Sequence, residues 1–525
     1  MFEQKKTILG PLVLAIIDGW GIAPDSESNP ITHTSIPGFK KLYSEGKHTR
    51  LWAHGEYVGL PKDQDGNSEA GHLNLGAGRI VKQDGVIITE AIKDGTFFKN
   101  PALIEAVQHV ERNNSSMHLV GMLSDGQSAH ATPEHLYALL DLMNRHGVER
   151  VYLHLFADGR DSAPNSGKFQ LEEVIDHLKP CQHIATVMGR FYGMDRKKQW
   201  SRTALAYAAL VLGKGVSITD PLSIFDKYYS EGKSDEFIEP HVILENGKPV
   251  GIVQDNDSVI FFNHRSDRAR QLTKPFVQKD FNAKNPGSFV PDRVPKNVRF
   301  VALTDFGPDL GDILTAYPSI DVEKALPAVL SSKRQLYIAE SEKYAHMTYF
   351  FNGGYAQPIG GEDRLMIPSP DVKHYDETPA MSTSELTQAV LKGVDDGYDF
   401  IALNYACTDM IAHTGNFEAA KMSIQAVDQS LALISNRVGE KEGALIVTAD
   451  HGNIEEMKNL STNGIDTEHS KNQVPFILWC SHCIDVELRE EGLLADVAPT
   501  ILDIFGISKP SVMTGKSLLM RPDHE

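Results

Sequence analysis

The sequence predicts an α/β protein with a mainly parallel sheet, in which an inserted second α/β domain interrupts a core domain. Three observations predict this architecture. Short apolar runs alternate with helical patterns along the chain, as in parallel α/β folds. The polar residues that follow these runs are mostly Asp and His toward both ends of the chain and mostly Arg in its middle. A chain of 525 residues is also too long for one ordinary hydrophobic core, so two domains are expected.

Five apolar runs have the length and composition of buried strands. They are LVLAII (12–17), MHLVGML (117–123), VYLHLF (151–156), DFIALNY (399–405) and ALIVTA (444–449). Ligands of open α/β sheets bind outside the carboxyl ends of the strands. The polar residues that follow these runs are therefore candidates for a functional site.

The change from Asp and His to Arg locates the inserted domain. We expect residues 1–82 and 317–525 to form a metal-binding core domain, and residues 83–316 to form an inserted substrate-binding domain. The segments at both crossings are polar or contain helix breakers, as segments between domains often do.

The charge of the chain limits its partners. Its 51 basic and 70 acidic side chains give a formal net charge of −19, which repels nucleic acid and anionic membranes. Neither is expected as a partner. An anionic small molecule would need a local cluster of Arg and Lys to overcome this field.

Cysteine content and the absence of a long apolar segment indicate a cytoplasmic protein. Four cysteines in so long a chain do not suggest a disulfide framework, which fits a reducing compartment. Cys480 and Cys483 have C-x-x-C spacing, but no second pair completes a zinc site, so incidental thiols are expected. No segment reaches the roughly 18 uninterrupted apolar residues of a membrane span. The apolar run near the N-terminus ends at Asp18 without a cleavage site.

Six Asp and His side chains form a candidate metal centre. They occur in the motifs TDMIAHTG, TADHGN and TEHS and directly after the first predicted strand. The six are Asp18, Asp409, His413, Asp450, His451 and His469. Imidazole and carboxylate suit Zn, Mn, Fe or Co rather than Ca, and six ligands exceed the needs of one tetrahedral ion, so two ions are expected. Each side chain taken alone is more typical of a loop cap or a hydrogen-bonded surface residue.

The stretch DGNSEAGH contains a candidate nucleophile, Ser68. It is not the G-x-S-x-G elbow of an α/β-hydrolase, because Gly71 comes one residue late. A metal ion lowers the pKa of a coordinated hydroxyl, so paired ions would activate Ser68 without a histidine base and support an in-line phosphoryl transfer. The same residue types are also typical of an ordinary polar turn.

The middle of the chain carries a second group of candidate site residues, in the motifs SDGQSAH, FADGRDS, GRFYGMDR and NHRSDR. They are His130, Arg160, Asp161, Arg190, Arg196, Arg265 and Arg268. A guanidinium group binds carboxylate or phosphate through two parallel hydrogen bonds. In a chain of net charge −19, this clustering predicts a small substrate with two or more anionic groups. The alternative for any one of these arginines is a solvated surface side chain.

In this order, the motifs resemble those of the cofactor-independent (2,3-bisphosphoglycerate-independent) phosphoglycerate mutases. The resemblance covers nearly the whole chain and also includes IIDGWG, DGNSEAGHLNLGAGR, SEKYAH and NYACTDMIAHTG. The family pattern has Val at the position of Ala70 and Ile at that of Leu75, and both exchanges are apolar. The resemblance implies an alkaline-phosphatase-like core with an inserted transferase-like domain.

The resemblance also implies roles for the site residues. It implies two Mn²⁺ ions, one held by Asp409, His413 and His469, the other by Asp18, Ser68, Asp450 and His451. It implies substrate contacts from His130, Arg160, Asp161, Arg190, Arg196, Arg265, Arg268 and Lys343. Co²⁺, Zn²⁺ and Mg²⁺ share much of this ligand chemistry, so the sequence leaves the identity of the metal open.

The implied activity is a metal-dependent interconversion of 3-phosphoglycerate and 2-phosphoglycerate, in glycolysis and gluconeogenesis, without 2,3-bisphosphoglycerate. Ser68 is expected to accept the phosphoryl group and to return it to the other hydroxyl of the retained glycerate. Asp161 is expected to exchange protons with the glycerate hydroxyls, and Lys343 to neutralise charge on the transferred group. Closure of the inserted domain over the core is expected to exclude water meanwhile. The family and this closure favour a monomer.

Two other functions compete with this hypothesis. A phosphomonoesterase on the same metal core would release phosphate and glycerate, but it does not require the Arg-bearing inserted domain. A non-catalytic anion sensor would keep the arginines but would need a broken metal site or a missing nucleophile, and the sequence shows neither.

Overall fold

The protein, for which we use a computed structural model, divides into two compact units. The structure describes residues 10–126, 128–311, 313–319, 322–480 and 486–520. The first unit consists of residues up to 83 together with those from 321 onward, and the second of residues 84–320. The boundaries expected from the sequence, after residues 82 and 316, lie one and four residues from these.

The first unit is built on an eight-stranded sheet whose first five strands run parallel. In spatial order the strands are Asp363–Ile367, Gln335–Glu340, Phe400–Tyr405, Leu12–Ile17, Ala444–Thr448, Val474–Cys480, Lys47–Trp52 and Glu491–Leu493. The central strand Leu12–Ile17 is apolar and completely buried, as expected for a strand covered on both faces.

Helices and short turns complete the first unit. Its α-helices are Pro37–Glu45, Ser68–Ala77, Leu326–Val329, Thr383–Asp395, Cys407–Ala412, Phe417–Glu440 and Val497–Ile504. The shorter helical turns are Gly55–Val58, His346–Phe350, Tyr375–Glu377 and Leu494–Asp496. Two small hairpin-like pairs join Lys458–Asn459 to Gly464–Ile465 and Glu487–Leu488 to Leu519–Met520.

The second unit has its own sheet of nine strands, with a parallel run of six. In spatial order the strands are Leu314–Tyr317, Arg299–Thr304, Ser258–Phe261, Met117–Met122, Val151–Ala157, Gln182–Gly189, His241–Glu245 and Val216–Ile218, with Lys248–Pro249 paired to His241–Glu245. Successive residues of one strand, such as Leu119 and Val120, belong to separate apolar clusters. The sheet therefore has a hydrophobic core on each face.

Helices surround this second sheet. The α-helices are Asp84–Asp94, Pro101–Asn113, Pro133–Arg145, Gly167–His177, Arg190–Gly193, Trp200–Leu212, Ser223–Ser230, Ser266–Val277 and Phe281–Lys284. Three short 3₁₀ turns are Phe97–Lys99, Asp235–Phe237 and Pro308–Leu310.

The structure confirms the α/β class with mainly parallel sheets, and all five predicted strands are present to within one residue at each end. None of the helices in the described parts of the chain has the length and apolar character needed to cross a membrane. Cys181 and Cys407 are free thiols, whereas Cys480 is disulfide-bonded, so the expectation of an incidental thiol is wrong for Cys480. Cys483 lies outside the described residues.

Candidate active site

The carboxyl ends of the central parallel strands bring three distant segments of the first unit together. Asp18 follows the strand Leu12–Ile17, which pairs in parallel with Phe400–Tyr405 on one side and Ala444–Thr448 on the other. Parallel pairing places the ends of all three strands at the same edge of the sheet. Asp450 lies at this edge, and its Oδ1 accepts a hydrogen bond from the backbone N–H of Gly19 at 3.2 Å.

Ser68 is the first residue of the helix Ser68–Ala77. Asn67 caps this helix, its side chain accepting a hydrogen bond from the N–H of Ala70 at 2.9 Å. The stretch DGNSEAGH is thus a helix start rather than an isolated turn. Ser68 is 7% exposed, and its hydroxyl lies 3.2 Å from Asp18 Oδ1 and 3.0 Å from His451 Nε2. The candidate nucleophile is therefore fixed by contacts from three parts of the first unit.

Lys343 lies at the centre of this arrangement. Its ammonium donates to Asp18 Oδ1 at 2.7 Å, to Asp409 Oδ2 at 2.7 Å and to Ser68 Oγ at 2.8 Å, so all three of its protons are used. The side chain is nearly inaccessible to solvent. Burial alone would lower the pKa of Lys343, but the adjacent carboxylates of Asp18 and Asp409 outweigh it and raise the pKa. The ammonium therefore stays charged.

Asp409 is the centre of a second set of contacts. It lies in the short helix Cys407–Ala412, and its Oδ1 is 3.3 Å from both His413 Nε2 and His469 Nε2. The amide of Asn453 donates to the same oxygen at 2.8 Å. The two imidazoles are each fixed through Nδ1, His413 to the carbonyl of Thr467 and His469 to that of Gly66, both at 2.8 Å. Their Nε2 atoms consequently face the carboxylate.

The donor set fits metal cations. Asp18, Asp409 and Asp450 are all buried, and the ammonium of Lys343 is the one Lys or Arg cation among the described residues that the structure pairs with them. Asp450 Oδ2 is buried, and the imidazoles of His72 and His451 lie 3.2 Å and 3.5 Å from it. Buried carboxylates in excess of their counter-charges are stable only when a cation is supplied. The ligating atoms are carboxylate and imidazole, without thiolate, which suits Mn²⁺, Co²⁺ or Zn²⁺.

The ligating atoms form two compact groups whose members lie within 4.8 Å of one another: Asp409, His451 and His469 in one, and Asp18, His72 and Asp450 in the other. This geometry differs from the implied partition in two respects. His451 lies with Asp409 and His469, although its Nε2 is also 3.5 Å from Asp18 Oδ1. His72, which the sequence analysis did not single out, lies with the remaining two carboxylates.

Neighbouring charges keep Asp450 ionised and His451 protonated in this centre. Burial opposes ionisation of Asp450, but the imidazole of His451 and that of His72 hold the pKa of this carboxyl below its usual range. Burial likewise lowers the pKa of His451, but the carboxylates of Asp450 and Asp18 raise it to about 9. Without a bound cation, protonated His451 therefore supplies part of the missing positive charge.

The arginines of the middle segment form a separate cluster within the second unit. Arg190 is 2% exposed and pairs with Asp158 and, at 2.8 Å, with Asp161. Asp158 Oδ2 accepts hydrogen bonds at 2.9 Å from the N–H and the hydroxyl of Ser162, which fixes the loop FADGRDS. Ser128 donates to Asp161 Oδ2 at 2.6 Å. A buried guanidinium thus holds the candidate proton-exchanging carboxylate in place.

Asp267 joins the remaining arginines of the second unit. It lies 2.7 Å from Arg196 and 3.6 Å from Arg265. Burial lowers the pKa of Arg268, and repulsion from the nearby charges of Arg190 and Arg196 lowers it further. Arg160 is more peripheral and is 3.8 Å from Glu236. The clustered charge is what an anionic ligand would neutralise.

His130 completes this cluster. Burial lowers the pKa of His130 to about 4, with a further contribution from the charge of Arg190. The ring is therefore neutral at pH 7, and its Nδ1 is buried without a hydrogen-bond partner among the described residues. A neutral imidazole with a free polar atom can orient a substrate oxygen without adding charge.

Sequence reasoning missed several residues that shape these sites. They are His72, Asn404 and Asn453 in the first unit and Ser128, Asp158 and Asp267 in the second. Ser128, Asp158 and Asp267 stand inside the motifs SDGQSAH, FADGRDS and NHRSDR, so the same signal would have found them. His72 is four residues after Ser68, one helical turn away, which is a weaker signal.

Comparison with known proteins identifies the family of the chain. A family model described as the BPG-independent PGAM N-terminus matches residues 88–308. A 2,3-bisphosphoglycerate-independent phosphoglycerate mutase of Moorella thermoacetica is 47% identical over 516 residues, which cover 97% of this chain and 98% of that protein. The enzyme of the same name from Clostridium novyi is 45% identical over 513 residues, covering 97% and 99%.

A solved structure gives the same result. Crystal structures of Leishmania mexicana phosphoglycerate mutase at low cobalt concentration superpose with a TM-score of 0.75 at 27% identity, covering 99% of both chains. The identities of 47% and 45% to the two bacterial enzymes extend over nearly the full length of each protein and establish common ancestry. The chain belongs to the 2,3-bisphosphoglycerate-independent phosphoglycerate mutases, a family of isomerases.

Proposed function

We propose that this chain interconverts 3-phosphoglycerate and 2-phosphoglycerate through a phosphoserine on Ser68, without 2,3-bisphosphoglycerate. It would act in glycolysis and gluconeogenesis as an intramolecular phosphotransferase. The observation that supports this most directly is the environment of the Ser68 hydroxyl, which lies within 3.2 Å of Lys343 Nζ, His451 Nε2 and Asp18 Oδ1. Family membership supplies the substrate.

Ser68 and Lys343 would have different roles at the transferred phosphoryl group, Ser68 as the nucleophile and Lys343 as a charged hydrogen-bond donor. The ionised Ser68 oxygen would attack the phosphorus atom as the bond from phosphorus to the glycerate oxygen breaks. Phosphoserine and bound glycerate would remain, and the released glycerate oxygen would take up the one proton that Ser68 gives up. Lys343 cannot accept the Ser68 proton, because its pKa is raised and its ammonium is already protonated. It would instead stabilise the ionised hydroxyl and then the phosphoryl oxygens, toward which it donates.

The second unit supplies substrate recognition in this proposal. His130, Arg160, Arg190, Arg196, Arg265 and Arg268 would hold the carboxylate and the phosphate oxygens. Although burial raises the pKa of Asp161, its hydrogen bonds to Ser128 and Arg190 hold it low. Asp161 would therefore be ionised at neutral pH and able to accept a proton from a glycerate hydroxyl. That hydroxyl could then take the phosphoryl group back.

Two metal ions complete the proposal, Mn²⁺ in the first instance, with Co²⁺, Zn²⁺ or Mg²⁺ as substitutes. Asp409, His413 and His469 would hold one, and Asp18, Ser68, Asp450 and His451 the other. When bound, such ions lower the pKa of a coordinated hydroxyl and neutralise charge on phosphoryl oxygens. The three buried carboxylates of Asp18, Asp409 and Asp450, with Lys343 as the one Lys or Arg cation paired with them among the described residues, support this assignment. We also propose a cytoplasmic monomer.

Phosphorus NMR with purified, metal-loaded protein tests the activity. The protein should convert 3-phosphoglycerate to 2-phosphoglycerate without added 2,3-bisphosphoglycerate, and mass spectrometry after rapid acid quench should find phosphate on Ser68. Ser68→Ala should lower the rate at least a thousandfold. Ser44→Ala, at an exposed serine of the same unit, is the control and should not. Release of inorganic phosphate and glycerate instead would indicate a phosphomonoesterase.

A further inference from the structure

A buried asparagine connects one of the candidate metal ligands to a histidine that has no assigned role. Asn404 is fully buried in the strand Phe400–Tyr405, beside Ile16 in the neighbouring strand. Its side-chain nitrogen lies 2.6 Å from Asp18 Oδ2 and 3.0 Å from His72 Nε2. An amide nitrogen has two protons, so it can donate to both atoms at once.

The carboxylate of Asp18 fixes the direction of the hydrogen bonds that link Asp18, Asn404 and His72. An ionised Asp18 only accepts, so Asn404 must present its NH₂ group rather than its carbonyl oxygen. The second amide proton then points to His72 Nε2, which must accept and therefore carries no proton. On the other side of the ring, Nδ1 faces the backbone oxygen of Ser68, which can only accept, so His72 donates through Nδ1 and accepts through Nε2.

His72 Nδ1 reaches two further parts of the centre. It lies 2.9 Å from the backbone oxygen of Ser68 and 3.2 Å from Asp450 Oδ2. The ring is completely buried, one helical turn after Ser68. Asn404 and His72 therefore link the carboxylates of Asp18 and Asp450 with the helical turn that carries the nucleophile.

We propose that His72 and Asn404 are positioning residues that hold Asp18 and Asp450 in the orientation needed for cation binding, and that His72 is not itself a ligand. His72 has the proximity of a ligand, since it lies within 4.8 Å of both carboxylates. Yet its Nε2 lone pair is engaged by Asn404 and its Nδ1 bears the proton, so neither ring nitrogen is free to bind a cation. The proposal rests on the proposed function for the presence of the cation.

Three substitutions at His72 separate these roles. His72→Asn keeps an N–H donor near the position of Nδ1, His72→Gln keeps an acceptor near Nε2, and His72→Ala removes both. Titration calorimetry with Co²⁺ alone would give the number of ions bound and their dissociation constants. The visible absorption of the Co²⁺-loaded proteins reports directly on the ligand set.

We expect every variant to bind as many Co²⁺ ions as the wild type and to keep its absorption bands. The dissociation constant of one ion should rise about 10- to 100-fold in His72→Ala, as when outer-shell partners are removed elsewhere, and less in His72→Asn and His72→Gln. Asn404→Leu should weaken the same ion to a similar degree. His118→Asn is the matched control. His118 is equally buried in the second unit and hydrogen-bonds to His154 and Asp257, so its replacement should leave Co²⁺ affinity unchanged.

Two results would overturn the proposal. Loss of one ion per chain in His72→Ala, or shifted Co²⁺ bands in any His72 variant, would make His72 a ligand. Unchanged dissociation constants in all His72 variants and in Asn404→Leu would show that the pair does not position the carboxylates. These measurements need no substrate. A wild-type protein that binds Co²⁺ but lacks mutase activity would contradict only the proposed function, whereas one that binds no Co²⁺ would contradict both.

Discussion

The ammonium group of Lys343 donates a hydrogen bond to the hydroxyl oxygen of Ser68 at 2.8 Å, while the same nitrogen is 2.7 Å from both Asp18 and Asp409. A charged donor aimed at a nucleophile stabilises the negative charge that develops on it. It also offsets the repulsion between two carboxylates that lie close together.

The first prediction concerns this lysine. Lys343→Met should lower kcat about 100- to 1,000-fold, because one preorganised donor is lost from the site of charge development. Metal content should not fall, since removal of a positive charge beside Asp18 and Asp409 favours cation binding. Steady-state kinetics and metal analysis on the same samples would check this. Lys441→Met, at an exposed lysine, is the control, and a metal-free Lys343→Met protein would contradict the prediction.

The second prediction concerns metal removal. Chelation should lower the thermal stability of the protein, because cations that bind only the native state stabilise it by mass action, by about 3 kcal/mol at a hundredfold excess over Kd. Denaturation measured with increasing Mn²⁺ after chelation should show a rising Tm. Equal concentrations of Ca²⁺ should have a smaller effect, because imidazole ligands do not suit Ca²⁺. A Tm independent of Mn²⁺ would contradict the assignment of these residues as a metal centre.

The third prediction concerns the buried pair of Arg190 and Asp158. Asp158→Asn leaves a buried guanidinium with one of its two acidic partners, so we expect a loss of about 3 kcal/mol in unfolding free energy and a rise in KM. Asp141→Asn breaks the exposed pair with Arg145 and should cost less than about 0.5 kcal/mol. Denaturant unfolding would compare the two. Equal losses of unfolding free energy in the two variants would show that burial of the Arg190–Asp158 pair does not increase its contribution to stability.

The fourth prediction is acid destabilisation through buried histidines. Burial lowers the pKa of His135 to about 4, so below its ordinary pKa of 6.5 the unfolded chain binds a proton that the native ring does not. Stability contributed by the neutral ring is present above pH 6.5 and is lost as the pH falls toward 4. At pH 5 this loss is about 2 kcal/mol. His135→Gln should therefore show a smaller decrease in unfolding free energy between pH 7.5 and pH 5 than the wild type.

The corresponding control is His177→Gln, at an exposed histidine of the same unit, which should leave the pH dependence unchanged. An identical pH dependence in wild type and His135→Gln would contradict the prediction.

The fifth prediction has the opposite sign and concerns Glu340. Burial raises the pKa of this carboxyl to about 7, and its Oε2 has no hydrogen-bond partner among the described residues. The native state therefore keeps a proton that the unfolded chain loses above pH 4.5, and stability falls as the pH rises from 4.5 to 7. Glu340→Gln should gain about 2 kcal/mol relative to wild type between pH 5 and pH 8. Glu342→Gln, at an exposed neighbouring position, is the control and should show no such gain. Urea titrations at pH 5 and pH 8 would measure the unfolding free energies.

Much of the fold could be predicted because its central strands are short, purely apolar runs. Leu12–Ile17 and Ala444–Thr448 have this pattern, and polar residues follow both at the sheet edge. Sequence alone could not show that Asn404, one polar residue within a strand, meets Asp18, because this depends on the register between strands that are almost 400 residues apart.

Sequence alone also could not show that His451 contacts both sets of ligands. Its Nε2 lies 3.5 Å from Asp18 Oδ1, and the ring also belongs to the compact group of Asp409 and His469. Lys343 has no metal-ligand or nucleophile signature of its own, and only the family resemblance pointed to it. Its position between the carboxylates of Asp18 and Asp409 depends on the tertiary structure.

The division of the central sheet between the two ends of the chain has a consequence for biosynthesis. Asp18 leaves the ribosome early, whereas its partner Asp450 follows 432 residues later, roughly 20 to 90 seconds at ordinary translation rates. The nascent first strand has neither neighbour in the sheet until Phe400–Tyr405 has been made, and it lacks the second until Ala444–Thr448 follows. The intervening segment 84–320 is continuous in sequence and can begin to fold in the meantime. Catalytic competence would thus appear only after His469 has been made, so translation products that stop before this residue would be inert.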